Sequence, residues 1–320
     1  MKLLRILAGC CFCISVFSTL TSAGWAKTAK IAFASDRNTG RFQIWTADPA
    51  NFANTAFQVT SGGGGSQVSR SPSWSEVKGS IAYQFGAPGV RGIHTINPDG
   101  TNDVQVTPPT SPCMDDSDPA WSPDGMFIAY SCLNAGHSDI YVHDFSSGQE
   151  NPLVVLSPTN QLRPAWSPDG TRVAFVSAAG TRAVVNVLEI NTHTIHPLTF
   201  GTALDFDPAW SPDGIQIAFS STRDGNRHIY TMSATCPEVM HGCSPAAKLT
   251  TAASNDTKPT WSPDFAAIVF VSNNRIGSNN QLYSINPAEP ESSNRGIYLT
   301  PPTPRYSVLG HARGLSEDAT

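Results

Sequence analysis

The segment Pro208-Ala209-Trp210-Ser211-Pro212-Asp213-Gly214 decides the fold, because the chain repeats it. The identical seven residues stand at 119–125 and 164–170, and a fourth copy at 259–264 is followed by Phe265 instead of glycine. A looser fifth copy covers residues 72–75. The tryptophans of the five copies are 47, 45, 44 and 51 residues apart, at positions 74, 121, 166, 210 and 261. A repeat of this length is typical of solenoids and propellers.

Each copy is followed by short apolar segments that read as β-strands. After Trp210 these are Ile217-Ala218-Phe219, then Ile229-Tyr230-Thr231, and Lys248-Leu249-Thr250 closes the unit. Together with the tryptophan segment they predict a propeller blade of four antiparallel strands. In Ser-Pro-Asp-Gly, proline presets φ, aspartate bonds its own backbone and glycine adopts a positive φ, as a tight hairpin turn requires. We expect the tryptophan to fill the wedge between neighbouring blades.

The two ends of the chain complete one blade between them. Residues 29–33 form a second strand with no tryptophan segment before it. Residues 304–310, with Tyr306 at the tryptophan position, form a first strand with no second strand after it. Pairing the two leaves no open edge in the ring. We therefore predict an all-β fold, a six-bladed β-propeller over residues 27–311 closed by the C-terminal strand, with a tail at 312–320.

The N-terminus carries the pattern of an export signal. Lys2 and Arg5 precede an apolar run from Ile6 to Leu20, and small residues follow at the cleavage positions. This predicts a signal peptide over residues 1–26 and a periplasmic protein with no transmembrane segment after cleavage. Leu7-Ala8-Gly9-Cys10 also fits a lipoprotein signal, so a lipid-anchored or extracellular protein stays an alternative.

Composition excludes several classes of protein. Charged residues make up 14% of the chain, and 25 glycines and 25 prolines indicate many turns, which excludes a coiled coil or a charged helical bundle. A hydrophobic content of 40% is too high for a disordered chain. The net charge of −5 argues against a nucleic-acid partner. We expect a monomer.

Four of the seven cysteines remain after the signal peptide, and an even number in an exported chain predicts disulfides. Cys113 and Cys132 stand just before and just after one strand pair, and Cys236 and Cys243 flank a hairpin loop. We therefore predict the pairs 113–132 and 236–243. A metal site would favour CxxC pairs or histidines at ligand spacing, which the sequence lacks, so no metal or other cofactor is expected.

The repeats resemble those of the TolB propeller family. Beside the tryptophan motif, the family signature S-x-R-D-G-N is present as Ser221-Thr222-Arg223-Asp224-Gly225-Asn226, and a related stretch runs from Ser35 to Gly40. The resemblance covers about residues 29–310. It implies a periplasmic platform whose propeller face binds proteins, notably a peptidoglycan-associated lipoprotein of the Tol envelope system. Family members carry an α/β domain before the propeller, whereas the first strand here begins within a few residues of the predicted cleavage site. The resemblance therefore implies the propeller domain only.

Motifs for chemistry are not found in the sequence. It contains no HExxH, GxSxG, Walker loop or GxGxxG, and the eight histidines are scattered. We therefore predict a non-enzymatic protein-interaction platform. The alternative is a carbohydrate-active lyase, a hydrolase-type enzyme or a glycan-binding propeller, with histidines or acids converging at the channel mouth.

Charged residues mark one face of the predicted ring. Acids lie three and five residues before several tryptophans, in segments that we expect to be inter-blade loops. The loops between second and third strands carry arginines, and we expect these loops to lie on the same face. In one interpretation the aspartates cap backbone N–H groups and pair with the arginines of these loops. In another the charged residues bind a partner protein, and the carboxylate oxygens would also allow a calcium site. The predicted partner-binding residues are Asp36, Arg37, Asp116, Asp118, Asp205, Asp207, Arg223, Asp224, Asp256 and Arg275.

Overall fold

A computed structural model of the chain describes residues 30–37, 40–62, 64–108, 113–156, 158–235, 245–273 and 280–289, and the backbone of 297–298 and 308–309. The predicted signal peptide, the tail 312–320, Tyr306, Arg275 and the cysteine pair 236–243 lie outside these residues. Within them, no helix is long and apolar enough to cross a membrane.

The described chain is almost entirely β-strand. Blade one contains β1 (Ile31–Ser35), β2 (Gln43–Ala47), a 3-10 turn (Pro49–Asn51), α1 (Phe52–Thr55) and β3 (Phe57–Gln58). Blade two contains β4 (Val68–Ser75), β5 (Ser80–Gly86), β6 (Gly92–Ile96) and β7 (Val104–Gln105). Blade three contains β8 (Asp115–Trp121), β9 (Phe127–Asn134), β10 (His137–Asp144) and β11 (Gln149–Val154).

The second half of the chain repeats this order. Blade four contains β12 (Asn160–Trp166), β13 (Arg172–Ala179), β14 (Arg182–Glu189) and β15 (Thr194–Pro197). Blade five contains β16 (Asp205–Trp210), β17 (Gln216–Ser221), β18 (His228–Ser233) and β19 (Ala247–Lys248). Blade six contains β20 (Asp256–Trp261), β21 (Ile268–Ser272), β22 (Gln281–Ile285) and β23 (Ile297–Tyr298), and β24 (Val308–Leu309) ends the fold.

Six four-stranded antiparallel sheets form a ring, which confirms the predicted fold class. The first strands of blades two to six pack against one another in series and surround the channel. We call the side on which these strands begin the mouth face, and the side of the Ser-Pro-Asp-Gly turns the turn face. Because the strands alternate in direction, the loops between second and third strands and the inter-blade connections both lie on the mouth face.

The apolar core lies between blades. One cluster joins Val185 and Val187 of blade four to Trp210 and Phe219 of blade five. Another joins blade one to blade six, where Phe33 and Trp45 pack with Val269, Val271 and Leu282. The ring is therefore held by wedge-filling contacts, as the tryptophan repeat predicts.

The repeated turn has the predicted chemistry. Ser211 Oγ donates to Asp213 Oδ1 at 2.5 Å, and the amide of Ile215 donates to the same oxygen at 3.0 Å. The Trp210 indole donates to the carbonyl of Ala165 in the preceding blade at 2.9 Å. In blade five the motif thus closes its own hairpin and ties the blade to the preceding one.

The C-terminal strand closes the ring, but in a different register from the repeat alignment. Strand β24 pairs with β1, so that Val308 lies opposite Ser35. In blade five the corresponding residue is Asp205, five residues before the tryptophan. This register differs from the sequence alignment, in which Tyr306 takes the tryptophan position and Val308 falls in the turn that follows it. The alignment rested on one aromatic residue, while hydrogen-bonded pairing sets the register.

One predicted disulfide lies within the described chain. Cys113 and Cys132 are bonded, with their Cα atoms 5.1 Å apart. The bond joins the segment before β8 to β9 on the mouth face. The prediction for this pair is confirmed, and the 236–243 pair stays a prediction.

Candidate functional site

A bulge interrupts the first strand of each of blades two to six at the same repeat position. In each strand the register shifts between the residues four and one before the tryptophan. The residue three before the tryptophan has a positive φ and is followed by proline, which has no N–H for the ladder. These five residues, the channel ring, are Ser71 (φ 50°), Asp118 (51°), Arg163 (55°), Asp207 (58°) and Lys258 (54°).

The channel ring is a strained arrangement. Non-glycine residues in this conformation each cost about 1–3 kcal/mol and persist where the surrounding structure enforces them. Here the enforcing contacts cross between blades. Ser71 Oγ donates to Asp118 Oδ1 at 3.1 Å, Arg163 forms an ion pair with Asp207, and the Lys258 amide donates to Asp207 Oδ2 at 3.2 Å. The ring therefore ties blades two and three, and blades four, five and six, at the channel.

The pKa of Lys258 is shifted by charges from several other blades. Burial lowers the pKa of its ammonium group, the positive charges of Arg163 and Arg70 lower it further, and Asp118 and Asp207 act in the opposite direction. These four residues belong to blades two, three, four and five. Lys258 is therefore within electrostatic range of four other blades, as expected for a residue of the channel ring.

The acids five residues before the tryptophans lie deeper than predicted. Asp116, Asp205 and Asp256 stand inside β8, β16 and β20 rather than in loops, and the last two are completely buried. Arg223 bonds Asp205 at 3.3 Å, and the hydroxyl of Ser272 donates to Asp256 at 2.5 Å. The loop placement was wrong because the bulge lets each strand continue toward the mouth face. Direct partner contact by these carboxylates stays a prediction.

Arg37 and Arg223, which were predicted to bind a partner, stack on aromatic rings of their own blades. Arg37 lies over the rings of Phe33 and Trp45, 5.1 and 4.8 Å from their centroids. Arg223 lies over Phe219 in the same way, at 5.1 Å. Such stacking fixes each guanidinium against the core of its blade.

The remaining two predicted residues are Asp36, which follows β1 in blade one, and Asp224, which follows β17 in blade five. Asp224 is half-exposed, accepts from the Tyr230 hydroxyl at 2.5 Å and pairs with Lys248 at 3.1 Å, away from the channel ring. Asp36 is partly buried and close enough to Arg70 to raise its pKa, although burial and Arg91 lower it overall. The structure therefore brings Asp36, Asp118 and Asp207 toward the channel and leaves Asp224 outside it.

Asp116 is an unusual carboxyl group. Burial raises its pKa to about 7, with Glu150 and Asp115 adding to the shift against a hydrogen bond from Thr107. Among the described residues, none bonds its Oδ1 atom. It lies within 4.8 Å of both sulfurs of the Cys113–Cys132 disulfide. This is the one group of three potential metal ligands in the described chain, and both of its sulfurs are used by the disulfide.

Apolar side chains are exposed in loops of the mouth face. Val90 is 71% exposed in the β5–β6 loop, and Met114 is exposed in the connection that enters β8. Val155 and Leu156 are exposed in the connection from blade three to blade four. The Arg91 amide donates to Asp115 Oδ1 at 2.9 Å and holds the first two loops together. The first two loops are therefore fixed to each other. We call the four exposed residues, which lie on the mouth face of blades two to four, the apolar rim.

At the turn face, the channel ends among tryptophan and proline side chains. A cavity of about 330 Å³ opens there, lined by the five repeat tryptophans and by the prolines of the turns. Among the described residues, no first strand carries a histidine. Acids, which the enzymatic alternative also allows, do lie in the channel ring as Asp118 and Asp207.

Sequence reasoning missed part of the channel ring. Asp118 and Asp207 were predicted, whereas Ser71, Arg163 and Lys258 were not. The available signal was position rather than residue type, since each of the five precedes the proline of its tryptophan motif.

Comparison with known proteins agrees with the repeats. The family model described as the TolB beta propeller domain matches residues 89–242. The Tol-Pal system protein TolB of Blochmanniella pennsylvanica is 39% identical over 56 residues, which are 18% of this chain and 12% of that protein. The matched part is thus about an eighth of that relative's length.

Two solved structures share the fold. TolB from Acinetobacter baumannii superposes with a TM-score of 0.66 at 18% identity, covering 91% of this chain and 69% of that one. A candidate TolB from Agrobacterium tumefaciens gives 0.63 at 19% identity, covering 88% and 98%. At this identity the structures show the fold alone. The family model over residues 89–242 agrees with the resemblance of the repeats to the TolB propeller, and the two structures show the same six-bladed fold.

Proposed function

We propose that this chain is an exported, non-enzymatic propeller that binds a protein partner on its mouth face. The observation that carries the proposal is the apolar rim formed by Val90, Met114, Val155 and Leu156 on the mouth face. Exposed apolar residues rimmed by polar ones are typical of protein interaction sites. An apolar contact area around a polar centre also gives a partner both affinity and orientation.

The partner we propose is an envelope lipoprotein of the peptidoglycan-associated kind, met in the periplasm. This rests on the resemblance to TolB and on the relative named as a Tol-Pal system protein. Export rests on the sequence of residues 1–26. The platform role agrees with the strained backbone and the Arg163–Asp207 ion pair of the channel ring, which tie the blades together. A preformed surface loses less entropy on binding.

Site-specific photo-crosslinking tests the face. A photoreactive residue is placed at Val155, on the rim, or at Ile215, which is 61% exposed on the turn face and serves as the matched control. We expect an envelope protein to be crosslinked from position 155 and not from 215, and mass spectrometry identifies it. Crosslinks from position 215 with none from 155 would overturn the proposal.

A further inference from the structure

The Cys113–Cys132 disulfide lies against a buried carboxyl group. In the register of blade three, Asp116 of β8 is directly opposite Cys132 of β9. Directly opposed residues of an antiparallel pair project to the same side of the sheet. A carboxylate oxygen of Asp116 and both sulfur atoms accordingly lie within 4.8 Å of one another. Metals bind thiolates, whereas these two sulfurs are bonded to each other, so the group is not a metal site in this state.

The carboxyl group of Asp116 has an oxygen that the fold does not use. Asp116 is 3% exposed, and its Oδ1 atom is buried with no hydrogen-bond partner among the described residues. Buried polar atoms are nearly always paired, and an unpaired one in a native protein calls for an explanation such as a redox or catalytic role. An unpaired oxygen beside a disulfide points to the chemistry of that bond.

The surroundings of Asp116 keep a proton on it at neutral pH. Burial raises its pKa to about 7, against a hydrogen bond from Thr107. The charges of Glu150 and Asp115 raise the pKa further, and the charge of Arg91 lowers it. The group therefore exchanges its proton near neutral pH, where an ordinary aspartate is fully ionised.

A second carboxyl group, that of Asp139, lies on the other side of Cys132. Asp139 of β10 is opposite Cys132 in the register, and its Oδ2 atom pairs with His137 Nε2 at 3.2 Å. Its Oδ1 atom is also buried without a partner in the described chain. Asp139 does not belong to the group of atoms that lie within 4.8 Å of one another. It is the alternative proton donor to Cys132 and serves as the matched control.

The two sulfurs of the disulfide differ in accessibility. Cys132 is completely buried, whereas Cys113 is partly exposed and precedes Met114, which is 65% exposed on the mouth face. An external thiolate therefore reaches Cys113, and Cys132 is the leaving group. A thiolate released into a buried site is unstable unless it is protonated, because burial disfavours the charged form.

We propose that Cys113–Cys132 is an exchangeable disulfide in which Asp116 supplies the proton to the leaving sulfur. The thiolate of a small dithiol reductant attacks Cys113 Sγ and forms a mixed disulfide, and the bond to Cys132 breaks. The electron pair of that bond stays on Cys132 Sγ, which takes the proton of Asp116 and becomes a thiol. The second thiol of the reductant then displaces Cys113, whose thiolate is protonated from water. The reductant is thereby oxidised to its disulfide, the protein disulfide is reduced to two thiols, and Asp116 regains its proton from solvent.

Reduction changes the structure at the mouth face. The disulfide ties the connection from blade two to β9, and Met114 of the apolar rim is the residue next to Cys113. Opening the bond releases this connection. The exchange chemistry itself needs no partner protein, so it is measured separately from partner binding.

The test measures the reduction of the native full chain by dithiothreitol from about pH 5.5 to about pH 8.5, on either side of the pKa of Asp116. Thiols are alkylated at each time point, and mass spectrometry follows the peptides that contain Cys113 and Cys132. Each second-order rate constant is divided by the thiolate fraction of the reductant, because the thiolate is the nucleophile. In the wild type we expect this normalised constant to fall about tenfold or more as pH rises, with a midpoint near 7, because the proton donor is lost.

Three variants assign the titration. Asp116→Asn should have a normalised constant that does not change with pH, because an amide does not titrate. Asp139→Asn changes the other residue opposite Cys132 and should keep the wild-type profile. Thr107→Val keeps the carboxyl group and removes the hydrogen bond that lowers its pKa, so the midpoint should move to higher pH. Thermal midpoints check that the variants fold.

Several results overturn the proposal. A reduction rate that does not depend on the concentration of dithiothreitol would show that the bond opens only after unfolding. A flat wild-type profile, or a pH dependence that survives in Asp116→Asn, would remove Asp116 from the reaction. A profile that becomes flat in Asp139→Asn would assign the proton to Asp139, and an unshifted midpoint in Thr107→Val would assign the titration to another group.

Discussion

Phe265 stands where three other copies of the turn have glycine. Its φ is 61°, close to the 69–71° of Gly125, Gly170 and Gly214. Side chains at such angles crowd the backbone, which costs about 1–2 kcal/mol. The side chain is also more than a third exposed, so it gains little from burial. The repeat thus carries one local defect whose energetic effect can be measured.

We predict that Phe265→Gly raises the free energy of unfolding by about 1 kcal/mol, because glycine adopts this φ without strain. The matched reverse change, Gly214→Ala, should lower it by a similar amount, since φ at that position is 71°. Chemical denaturation of both variants measures the effect. Destabilisation by Phe265→Gly would show that the phenyl ring makes a contact worth more than the strain.

Asp116 is predicted to make stability depend on pH. Its pKa of about 7 lies above the ordinary value near 3.8, so between these pH values the folded protein binds a proton that the unfolded chain has lost. Stability therefore falls as pH rises from about 4 to about 7, by at most about 4 kcal/mol at about 1.4 kcal/mol per unit.

The variant Asp116→Asn removes this proton. Compared with the wild type at pH 5 and pH 8, it should lose less stability at the higher pH, as measured by denaturant titration. All other ionisable groups are the same in the two proteins, so their contributions cancel in the comparison. Parallel pH profiles for the two proteins would contradict the assignment of a raised pKa to this carboxyl group.

At the scale of elements, ring closure depends on a strand from the far end of the chain. Strand β24 gives β1 its first-strand partner, and β1 belongs to the cluster that joins blades one and six. Deleting residues 301–320 should therefore lower the thermal midpoint clearly, because it exposes the β1 edge and part of that wedge. An unshifted midpoint measured by calorimetry would argue against closure by this segment.

The disulfide acts on blade three alone. It closes a loop with a sequence separation of 19 residues, for which chain entropy predicts a stabilisation of about 3 kcal/mol. Cys113→Ala/Cys132→Ala should lose about this much in denaturant titration. Mass spectrometry of a non-reduced digest should show the 113–132 and 236–243 peptides, and free thiols or crossed pairs would contradict the pairing.

The elements also show what a sequence can and cannot predict. The Ser-Pro-Asp-Gly turn and the wedge tryptophan act through local chemistry, so their repetition was enough to predict six blades. The channel ring needs a backbone position rather than a residue type, and Ser71, Arg163 and Lys258 share no side-chain property. Asp205 and Asp256 were placed in loops because a bulge cannot be distinguished from a strand end by composition alone.

At the scale of the whole molecule, the two faces of the propeller are chemically distinct. The turn face presents the tryptophan-lined cavity, and the mouth face presents the apolar rim. The repeat explains the first, since every copy contributes the same residues. The chemistry of the mouth face comes from positions at which the copies of the repeat differ, such as those of the channel ring. Differences between copies of a repeat are where a symmetric fold acquires a specific site.

The central claim is that the mouth face is the binding face, and hydrogen–deuterium exchange tests it most directly. Exchange is compared for the propeller alone and with the partner identified by crosslinking. The account predicts slower exchange at residues 87–91, 113–116 and 153–156 in the complex, with no change at the turns 76–79, 122–126 and 211–215. Protection confined to the turns, with the three mouth segments unaffected, would contradict it.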